Sequence, residues 1–395
     1  MVYKRSTYAT VLERIKEPRQ FIQVIMGPRQ VGKSTLVKQV LADVSVPWLF
    51  FSADDVPATR REWISDCWQQ ARLRMRAQRL SEMLLVIDEI QKLRNWSEVV
   101  KKEYDADTFA DVNIKVILLG SSRVLLEKGL SESLFGRYEE IRMGHWTYEE
   151  MHEAFGFTQE QYVYFGSYPA VASLVRNEQR WRDYVSSAVV EATINKDILL
   201  DSPVSKPALL RQTFELASSY SGRILSLTKM LGSLQDAGNT TTLSSYLELL
   251  SQSGLVAGLQ KYTVDAARRR ASIPKYQVFN NALCVIYAGS TFRQAQVDHR
   301  LWGHLFESAV GAHLINGAFV NRYKLYYWRE GNDEVDFILQ KNQRLLAIEV
   351  KSNAETNNKG LTSFRERFHP DIALVVGLGG MPVEEFLTTD LEVFF

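Results

Sequence analysis

The stretch Phe21–Lys38, FIQVIMGPRQVGKSTLVK, contains the pattern that decides the fold of this chain. The apolar residues that precede Gly27 predict a buried strand, and a helix is expected to begin near Lys33. The residues between them satisfy the spacing G-x-x-x-x-G-K-[ST], which ends in Lys33 and Ser34. A chance glycine turn would not be expected to meet every position of this pattern between a strand and a helix. We therefore expect a phosphate-binding loop in an α/β sheet.

The chemistry of phosphate binding explains the residue types in this loop. Glycine lets the backbone wrap around a phosphate chain with its N–H groups pointing inward, and the N-terminus of the following helix adds a positive dipole end. The Lys33 ammonium can reach the β- and γ-phosphates, and the Ser34 hydroxyl can bind Mg²⁺. The residues expected to contact the nucleotide are Gly27, Pro28, Arg29, Gln30, Val31, Gly32, Lys33, Ser34 and Thr35.

A second stretch, Met83–Ile90 (MLLVIDEI), supports the first. Its apolar run predicts a fully buried parallel strand, and Asp88 and Glu89 follow at the carboxyl end, where α/β sheets bind ligands. Asp88 is expected to hold the Mg²⁺ shell, and Glu89 to orient or polarise the attacking water. An acidic pair after an apolar strand is weak by itself, but the two motifs together predict ATP binding and hydrolysis.

Two further polar residues are candidates for the same site. Ser121 follows the predicted strand Asn113–Gly120, where it could contact the γ-phosphate or simply cap the next helix, and the sequence favours neither. Arg137, in the segment SLFGR, is a candidate for an arginine that reaches a nucleotide held by a neighbouring subunit. A short strand after it completes a predicted nucleotide-binding domain of residues 1–150.

The middle of the chain has a different pattern. Residues 151–203 are predicted to form a small helical lid that packs over the nucleotide. Residues 204–280 predict helices followed by a β-hairpin, which is the order of a winged helix. The residues expected to face DNA are Thr240, Ser244, Ser245, Arg268, Arg269 and Arg270. The alternative is a winged helix used only for packing or protein contacts.

The C-terminal part, residues 281–395, contains a second candidate site. Glu307 lies on the apolar stripe of a predicted helix, Asp336 lies on a strand, and Glu349 and Lys351 share one face of the next strand. Such a set suits a Mg²⁺-dependent phosphodiesterase, in which Asp336 and Glu349 hold metal and Lys351 positions water and stabilises phosphate charge. An exposed strand with alternating charges is the simpler explanation, although an unpaired buried Glu307 would be costly.

Composition limits the class of protein. A chain of 395 residues is expected to form about two to four domains. Its formal net charge is +1, so any nucleic-acid surface has to be a local patch. Cys67 and Cys284 have no metal-binding spacing, which fits a reduced, cytoplasmic compartment. No run of about 18 apolar residues and no secretory signal are found, so no membrane span is expected.

The chain resembles a prokaryotic family of AAA-type ATPases fused to a C-terminal domain of the restriction-endonuclease-like, PD-(D/E)XK type. The motifs that carry the resemblance are GPRQVGKST (27–35), LLVIDEIQK (84–92), LLGSSR (118–123), LFGR (134–137), GSYPAV (166–171), NKDI (195–198), LFESAV (305–310), YYWRE (326–330), EVDF (334–337) and IEVK (348–351). The Pro-Asp that names the nuclease class is Val335-Asp336 here.

The resemblance implies an α/β fold made of a P-loop AAA-type ATPase domain with a helical lid, a winged-helix domain and a C-terminal α/β restriction-endonuclease-like domain. It implies ATP and Mg²⁺ as cofactors, with Ser121 or Ser122 as the sensor of the nucleotide. It places the nuclease-type set at Glu307, Asp336, Glu349 and Lys351. It also implies a homo-oligomeric ring, for example a hexamer, because AAA-type modules hold nucleotide between subunits.

Two functions remain open at this point. The first is an ATP-dependent protein that moves or remodels DNA, including branched DNA. The second is a nucleotide-dependent switch or scaffold for a protein partner, with a non-catalytic C-terminal domain, and the near-zero net charge favours it. Whether the C-terminal site cleaves DNA is not decided by the residues. If it does, Asp336→Ala or Lys351→Ala should abolish nicking.

Overall fold

The computed structural model describes residues 3–60, 62–121, 126, 129–130, 133–200, 202, 204–235, 238–352 and 358–395. The chain divides into two compact units, Met1–Met143 and Gly144–Phe395. The segments predicted as lid, winged helix and C-terminal domain all lie in the second unit. Their separation into domains at residues 203/204 and 280/281 stays a prediction.

The first unit is built on a five-stranded parallel sheet, as the sequence predicts. The order of its strands is β2-β3-β4-β1-β5, so β1 lies between β4 and β5. Every residue of β1 and β3 is buried, which agrees with their mostly apolar sequences; Gln23 and Asp88 are the polar exceptions. The strands are β1 Ile22–Met26, β2 Trp48–Ser52, β3 Met83–Asp88, β4 Ile114–Gly120 and β5 Tyr138–Arg142.

Helices cover the sheet of the first unit. The helix that follows β1 buries Leu36, Val37, Val40 and Leu41 against the strands, which fixes the phosphate-binding loop at the sheet edge. The described helices are α1 Thr7–Lys16, α2 Lys33–Asp43, α3 Glu62–Gln78 and α4 Trp96–Phe109, with a 3₁₀ turn at Ile90–Lys92.

The second unit contains a six-stranded mixed sheet. Its order is β11-β10-β9-β8-β6-β7. The hairpin predicted as a wing, β6 and β7, joins the C-terminal strands through a parallel pairing of β6 with β8, in which Gln260 lies opposite Tyr326. The strands are β6 Val256–Lys261, β7 Lys275–Val278, β8 Lys324–Glu330, β9 Asp333–Lys341, β10 Arg344–Lys351 and β11 Ile372–Gly377.

Some helices of the second unit lie between the strands of this sheet along the chain, and others form the segment that precedes its first strand. Its described α-helices are α5 Tyr148–Phe155, α6 Gln159–Phe165, α7 Glu178–Tyr184, α8 Pro207–Ser219, α9 Leu227–Ser233, α10 Thr240–Gln252, α11 Ala266–Arg270, α12 Ala282–Val285, α13 Phe292–Val297, α14 His299–Asn321, α15 Lys359–Phe368 and α16 Val383–Thr388. Two π-helical turns, Val185–Glu191 and Ile194–Leu199, follow α7. Among the described helices, none combines the length and apolarity needed to cross a membrane.

Two helices of the middle segment are capped by side chains. Asn239 caps helix α10 by accepting from Thr242 N. The arginine-rich segment between β6 and β7 forms the short helix α11. The Asp265 side chain caps this helix by accepting from the backbone N–H groups of Ala267 and Arg268.

Candidate functional site

The carboxyl ends of β1, β3 and β4 meet at one edge of the parallel sheet, because these three strands are neighbours in the order β3-β4-β1. The phosphate-binding loop follows β1, Asp88 ends β3, and Ser121 follows β4. Ligands of open α/β sheets bind at this edge, where the strand order reverses. The fold therefore brings together the residues predicted for the nucleotide site.

The phosphate-binding loop has the backbone that an anion requires. Gly32 has φ +92°, which favours glycine, and no side chain caps the helix that begins at Lys33. The Lys33 ammonium donates to the carbonyl oxygens of Gly27 and Pro28 at 2.9 and 2.8 Å. The buried guanidinium of Arg5 donates to Val31 O at 3.0 Å and braces the loop from behind. The N-terminus of α2 is thus shaped to bind phosphate.

Ser34 and Asp88 are joined by a hydrogen bond at this edge of the sheet. Ser34 Oγ donates to Asp88 Oδ2 at 2.7 Å, and Asp88 Oδ1 accepts from the Glu89 N–H at 2.9 Å. Burial raises the pKa of the Asp88 carboxyl, against the opposing effects of the Ser34 hydrogen bond and the Lys33 charge. Hydroxyl and carboxylate oxygens are ligands that Mg²⁺ accepts. The residues therefore fit ATP with magnesium, with Lys33 on the phosphates and Ser34 and Asp88 on the metal.

Glu89 belongs to a small hydrogen-bonded network. Ser121 Oγ donates to Glu89 Oε2 at 3.1 Å. Gln91 Nε2 donates to the same oxygen at 2.6 Å and to Ser121 Oγ at 3.4 Å. Glu89 has φ 54°, an uncommon conformation for a residue other than glycine and one that concentrates at functional sites. Gln91 was not singled out from the sequence, although it lies two residues after the acidic pair, and Ser122 lies outside the described residues.

Arg137 is held within the first unit. Its guanidinium makes two bonds to the Asp105 carboxylate, Nε to Oδ1 at 2.7 Å and Nη2 to Oδ2 at 3.1 Å. Both side chains are partly exposed, at 34% and 43%. Exposed ion pairs contribute only about 0–1 kcal/mol, so this pair could open at little cost.

The second candidate site lies on the C-terminal sheet. Asp336 Oδ2 accepts from the Val350 N–H at 2.8 Å, and Lys351 Nζ lies 2.5 Å from Glu349 Oε1. Glu307 reaches the same cluster from α14. The four residues predicted as a nuclease-type set are therefore together in the fold.

Lys275, on β7, is a member of this cluster that the sequence analysis missed. Its side chain is fully buried, and its Nζ lies 2.8 Å from Glu307 Oε1, 3.2 Å from Asp336 Oδ1 and 3.6 Å from Glu334 Oε1. Burial lowers the pKa of Lys275, but the attraction of these three carboxylates outweighs burial and raises it overall. The contact with Glu307 is the shortest of the three.

The metal predicted at Asp336 and Glu349 does not fit this arrangement. The Lys275 ammonium already lies against Asp336, and the Glu349 carboxylate is paired with Lys351. Within the part of the chain that the structure describes, no group of three or more histidine, cysteine, aspartate or glutamate side chains could hold a metal ion.

Comparison with known proteins identifies the first unit. Residues 19–152 match the family model of an AAA domain. This AAA domain, with its parallel sheet and phosphate-binding loop, confirms an AAA-type ATPase fold at the N-terminal end of the chain. Residues 157–293 and 302–387 match two domains of unknown function, DUF8612 and DUF4143.

Similar proteins cover most of the chain. A Walker-type ATPase of Pyrococcus abyssi aligns with 72% of this chain and 96% of its own, with a TM-score of 0.52 and 16% identity. An uncharacterized protein of Haemophilus influenzae is 23% identical over 381 residues, which cover 90% of this chain and 89% of that protein. The RuvB Holliday junction branch migration motor of Thermotoga maritima aligns with 64% of this chain and 86% of its own, with a TM-score of 0.34 and 16% identity.

The residues predicted to face DNA differ in the exposure and the internal partners of their side chains. Ser244 and Ser245 are exposed on α10, and the Arg268 side chain is 84% exposed. Arg269 is turned inward, because its guanidinium donates to Thr263 O at 2.7 and 3.2 Å and to the Tyr326 hydroxyl at 3.1 Å. Arg269 therefore has internal partners, and its contact with DNA stays a prediction. Thr240 is partly buried, and the side chain of Arg270 lies outside what the structure describes.

The second unit is expected to lose stability as the pH rises from about 5 to about 8. Burial, followed by the Asp336 charge, raises the pKa of Glu307 from its ordinary 4.5 to about 8, against the pull of Lys275. The pKa of Glu349 rises to about 7 for the same two reasons. Glu334 also faces Glu307 and adds repulsion.

This direction follows from proton binding. In the unfolded chain both carboxyls ionise near their ordinary pKa, so between these pH values the folded protein holds protons that the unfolded chain has released. The free energy of unfolding must then fall as the pH rises across this range. Urea unfolding at pH 5, 6.5 and 8, read by hydrogen exchange in peptides of the second unit, measures it. The slope should be smaller in Glu307→Gln, and an equal slope in this variant would contradict the assignment.

Proposed function

We propose that this protein hydrolyses ATP in its AAA domain and uses the energy to move or remodel DNA, including branched DNA, held by its second unit. The observation that carries the ATPase part is the meeting of Lys33, Ser34, Asp88, Glu89 and Ser121 at one edge of a parallel sheet. Each of these residue types has a distinct task in phosphoryl transfer to water.

The tasks can be assigned from the contacts. Lys33, already held over the loop by two carbonyls, would exchange these contacts for phosphate oxygens. Ser34 and Asp88 would hold magnesium, which neutralises charge on the β- and γ-phosphates when it is bound. Glu89, oriented by Gln91 and Ser121, would accept a hydrogen bond from the attacking water and align it.

A homo-oligomeric ring, for example a hexamer, remains part of the proposal. Arg137 would complete the site of a neighbouring subunit by placing its guanidinium on the transferred phosphate. To do so, Arg137 must break its ion pair with Asp105. Because this pair is partly exposed, breaking it costs little free energy.

The DNA part of the proposal depends on the middle segment. Three helices, α8 to α10, precede the β6–β7 hairpin, which is the order of a winged helix. The exposed hydroxyls of Ser244 and Ser245 and the exposed guanidinium of Arg268 are groups that contact phosphate oxygens.

The experiment that tests the proposal is an ATPase measurement with and without DNA. Full-length protein is assayed alone and with single-stranded, double-stranded and four-way branched DNA of equal nucleotide content. We expect stimulation of several-fold by at least one of these DNAs. A rate that none of them changes would contradict DNA processing and would leave ATP hydrolysis intact.

Matched variants sharpen this test. Arg268→Glu should weaken DNA binding and reduce its salt dependence, because a DNA-binding protein loses affinity steeply as salt displaces its phosphate contacts. Arg293→Glu, which changes an exposed arginine on α13, is the control for net charge. Equal effects of the two variants would mean that Arg268 has no special role.

A nucleotide-dependent switch or scaffold for a protein partner is the second candidate. The net charge of +1 and the inward orientation of Arg269 favour it, since both reduce the positive surface available to DNA. This candidate predicts ATP hydrolysis that DNA does not stimulate and no salt-sensitive DNA binding. The same assays therefore separate the two functions.

A further inference from the structure

The carboxylate cluster of the C-terminal sheet is built around an ammonium group. We propose that Lys275 permanently takes the place of the divalent cation that a nuclease-type site requires, so that the second unit works as a metal-independent module. Its Nζ lies between carboxylates from two different elements, Glu307 on α14 and Asp336 on β9. ATP hydrolysis in the AAA domain plays no part in this inference.

The distances are those of an ammonium ion and its partners. Separations of 2.8 Å to Glu307 and 3.2 Å to Asp336 are usual for nitrogen–oxygen hydrogen bonds and ion pairs, whereas Mg²⁺ needs about six oxygen ligands at roughly 2.0–2.1 Å. A divalent ion added beside Nζ would be repelled by the ammonium charge. It would also have to compete with Lys275 for the carboxylate oxygens of Glu307 and Asp336.

Lys275 is fixed in this position by its backbone and by its side-chain stem. Strand β7 is buried at every residue, and Lys275 pairs with Leu259 of β6 and forms an isolated bridge with Ile224. Its Nζ lies 5.1 Å from the centre of the Phe337 ring, a cation–π contact.

The other carboxylate of the cluster has its own cation. Lys351 Nζ pairs with Glu349 Oε1 at 2.5 Å on the same face of β10. Each carboxylate expected to bind metal, Asp336 and Glu349, therefore has an internal lysine partner. The consequence is structural as well as chemical, because Lys275 ties the β6–β7 hairpin to α14 and β9 of the C-terminal part.

The test is Mn²⁺ binding to the full chain without nucleotide, measured by the paramagnetic resonance signal of free Mn²⁺. We expect the natural sequence and Asp336→Asn to bind Mn²⁺ equally. Lys275→Met should gain one site per chain, at least tenfold tighter than any background, and Lys275→Met/Asp336→Asn should lose it again. Lys324→Met, which removes an exposed lysine of β8, is the matched control and should gain no site.

Two results would overturn the proposal. One is Mn²⁺ binding, or Mn²⁺-dependent DNA nicking, by the natural sequence that Asp336→Asn abolishes. The other is a folded Lys275→Met variant that gains no site. If Lys275→Met does not fold, Lys275→Met/Glu307→Gln takes its place, because this variant removes one charge of each sign. The comparison of Mn²⁺ binding by the natural sequence and by Asp336→Asn tests the proposal without either variant.

Discussion

Lys33→Ala is expected to lower ATP hydrolysis by about 100-fold or more, because it removes the cation that faces the developing charge on the transferred phosphate. The Lys33 side chain is buried at the N-terminus of α2, so few water molecules can enter to replace its ammonium group when it is removed. The loss should appear in the turnover number as well as in nucleotide binding, since the ammonium acts on the phosphates that react. Steady-state phosphate release with purified protein measures it.

The control for this variant lies on the same helix. Lys38 is exposed on α2, five residues after Lys33, so Lys38→Ala removes the same charge without touching the loop. It should hydrolyse ATP at nearly the original rate. Thermal unfolding of both variants shows whether loss of the Lys33 contacts to Gly27 and Pro28 affects folding. Unchanged turnover in a folded Lys33→Ala protein would mean that the nucleotide is bound elsewhere.

Lys275→Met is expected to reduce the stability of the second unit by about 3–5 kcal/mol, which is the usual cost of removing one partner of a buried ion pair. Methionine fills most of the volume of the lysine side chain, so the loss of stability is caused by removal of the charge rather than by formation of a cavity. Glu307 and Asp336 would then have no cation between them. Hydrogen exchange in peptides from β7, α14 and β9 measures the local free energy of opening.

A double-mutant cycle isolates the interaction. Adding Glu307→Gln to Lys275→Met removes one of the opposing carboxylates, so the double variant should recover part of the stability that the single variant loses. Lys324→Met, on the exposed side of β8, should change stability by less than about 0.5 kcal/mol. Additive effects of the two substitutions would show that Lys275 and Glu307 do not interact in the folded protein.

The two lysines differ in how far they could be predicted. Lys33 belongs to a motif of adjacent residues, because a loop that wraps a phosphate chain uses neighbouring N–H groups and the first turn of the next helix. The contact of Ser34 with Asp88 could also be predicted, because Ser34 follows β1 and Asp88 ends β3 in one parallel sheet. Local motifs and strand periodicity therefore sufficed for the parallel sheet of the first unit and for the residues that meet at its edge.

Contacts made by side chains from distant segments could not be predicted in this way. Gln91 and Arg269 have nothing in their local sequence that shows which way they point, and the structure turns Gln91 toward Ser121 and Arg269 toward Tyr326. The same limit applies to Arg137, because its partner Asp105 comes from another helix.

The amino-acid sequence alone determined the parallel α/β sheet, the phosphate-binding loop and the acidic pair at Asp88, because each is encoded by residues that are adjacent or periodic along the chain. The sequence also indicated that the carboxylates of Glu307 and Asp336 belong to one candidate site. Only the tertiary structure decided what those carboxylates surround. Lys275 lies 61 residues before Asp336, on a strand covered on both faces, so alternation along that strand does not show where its ammonium lies.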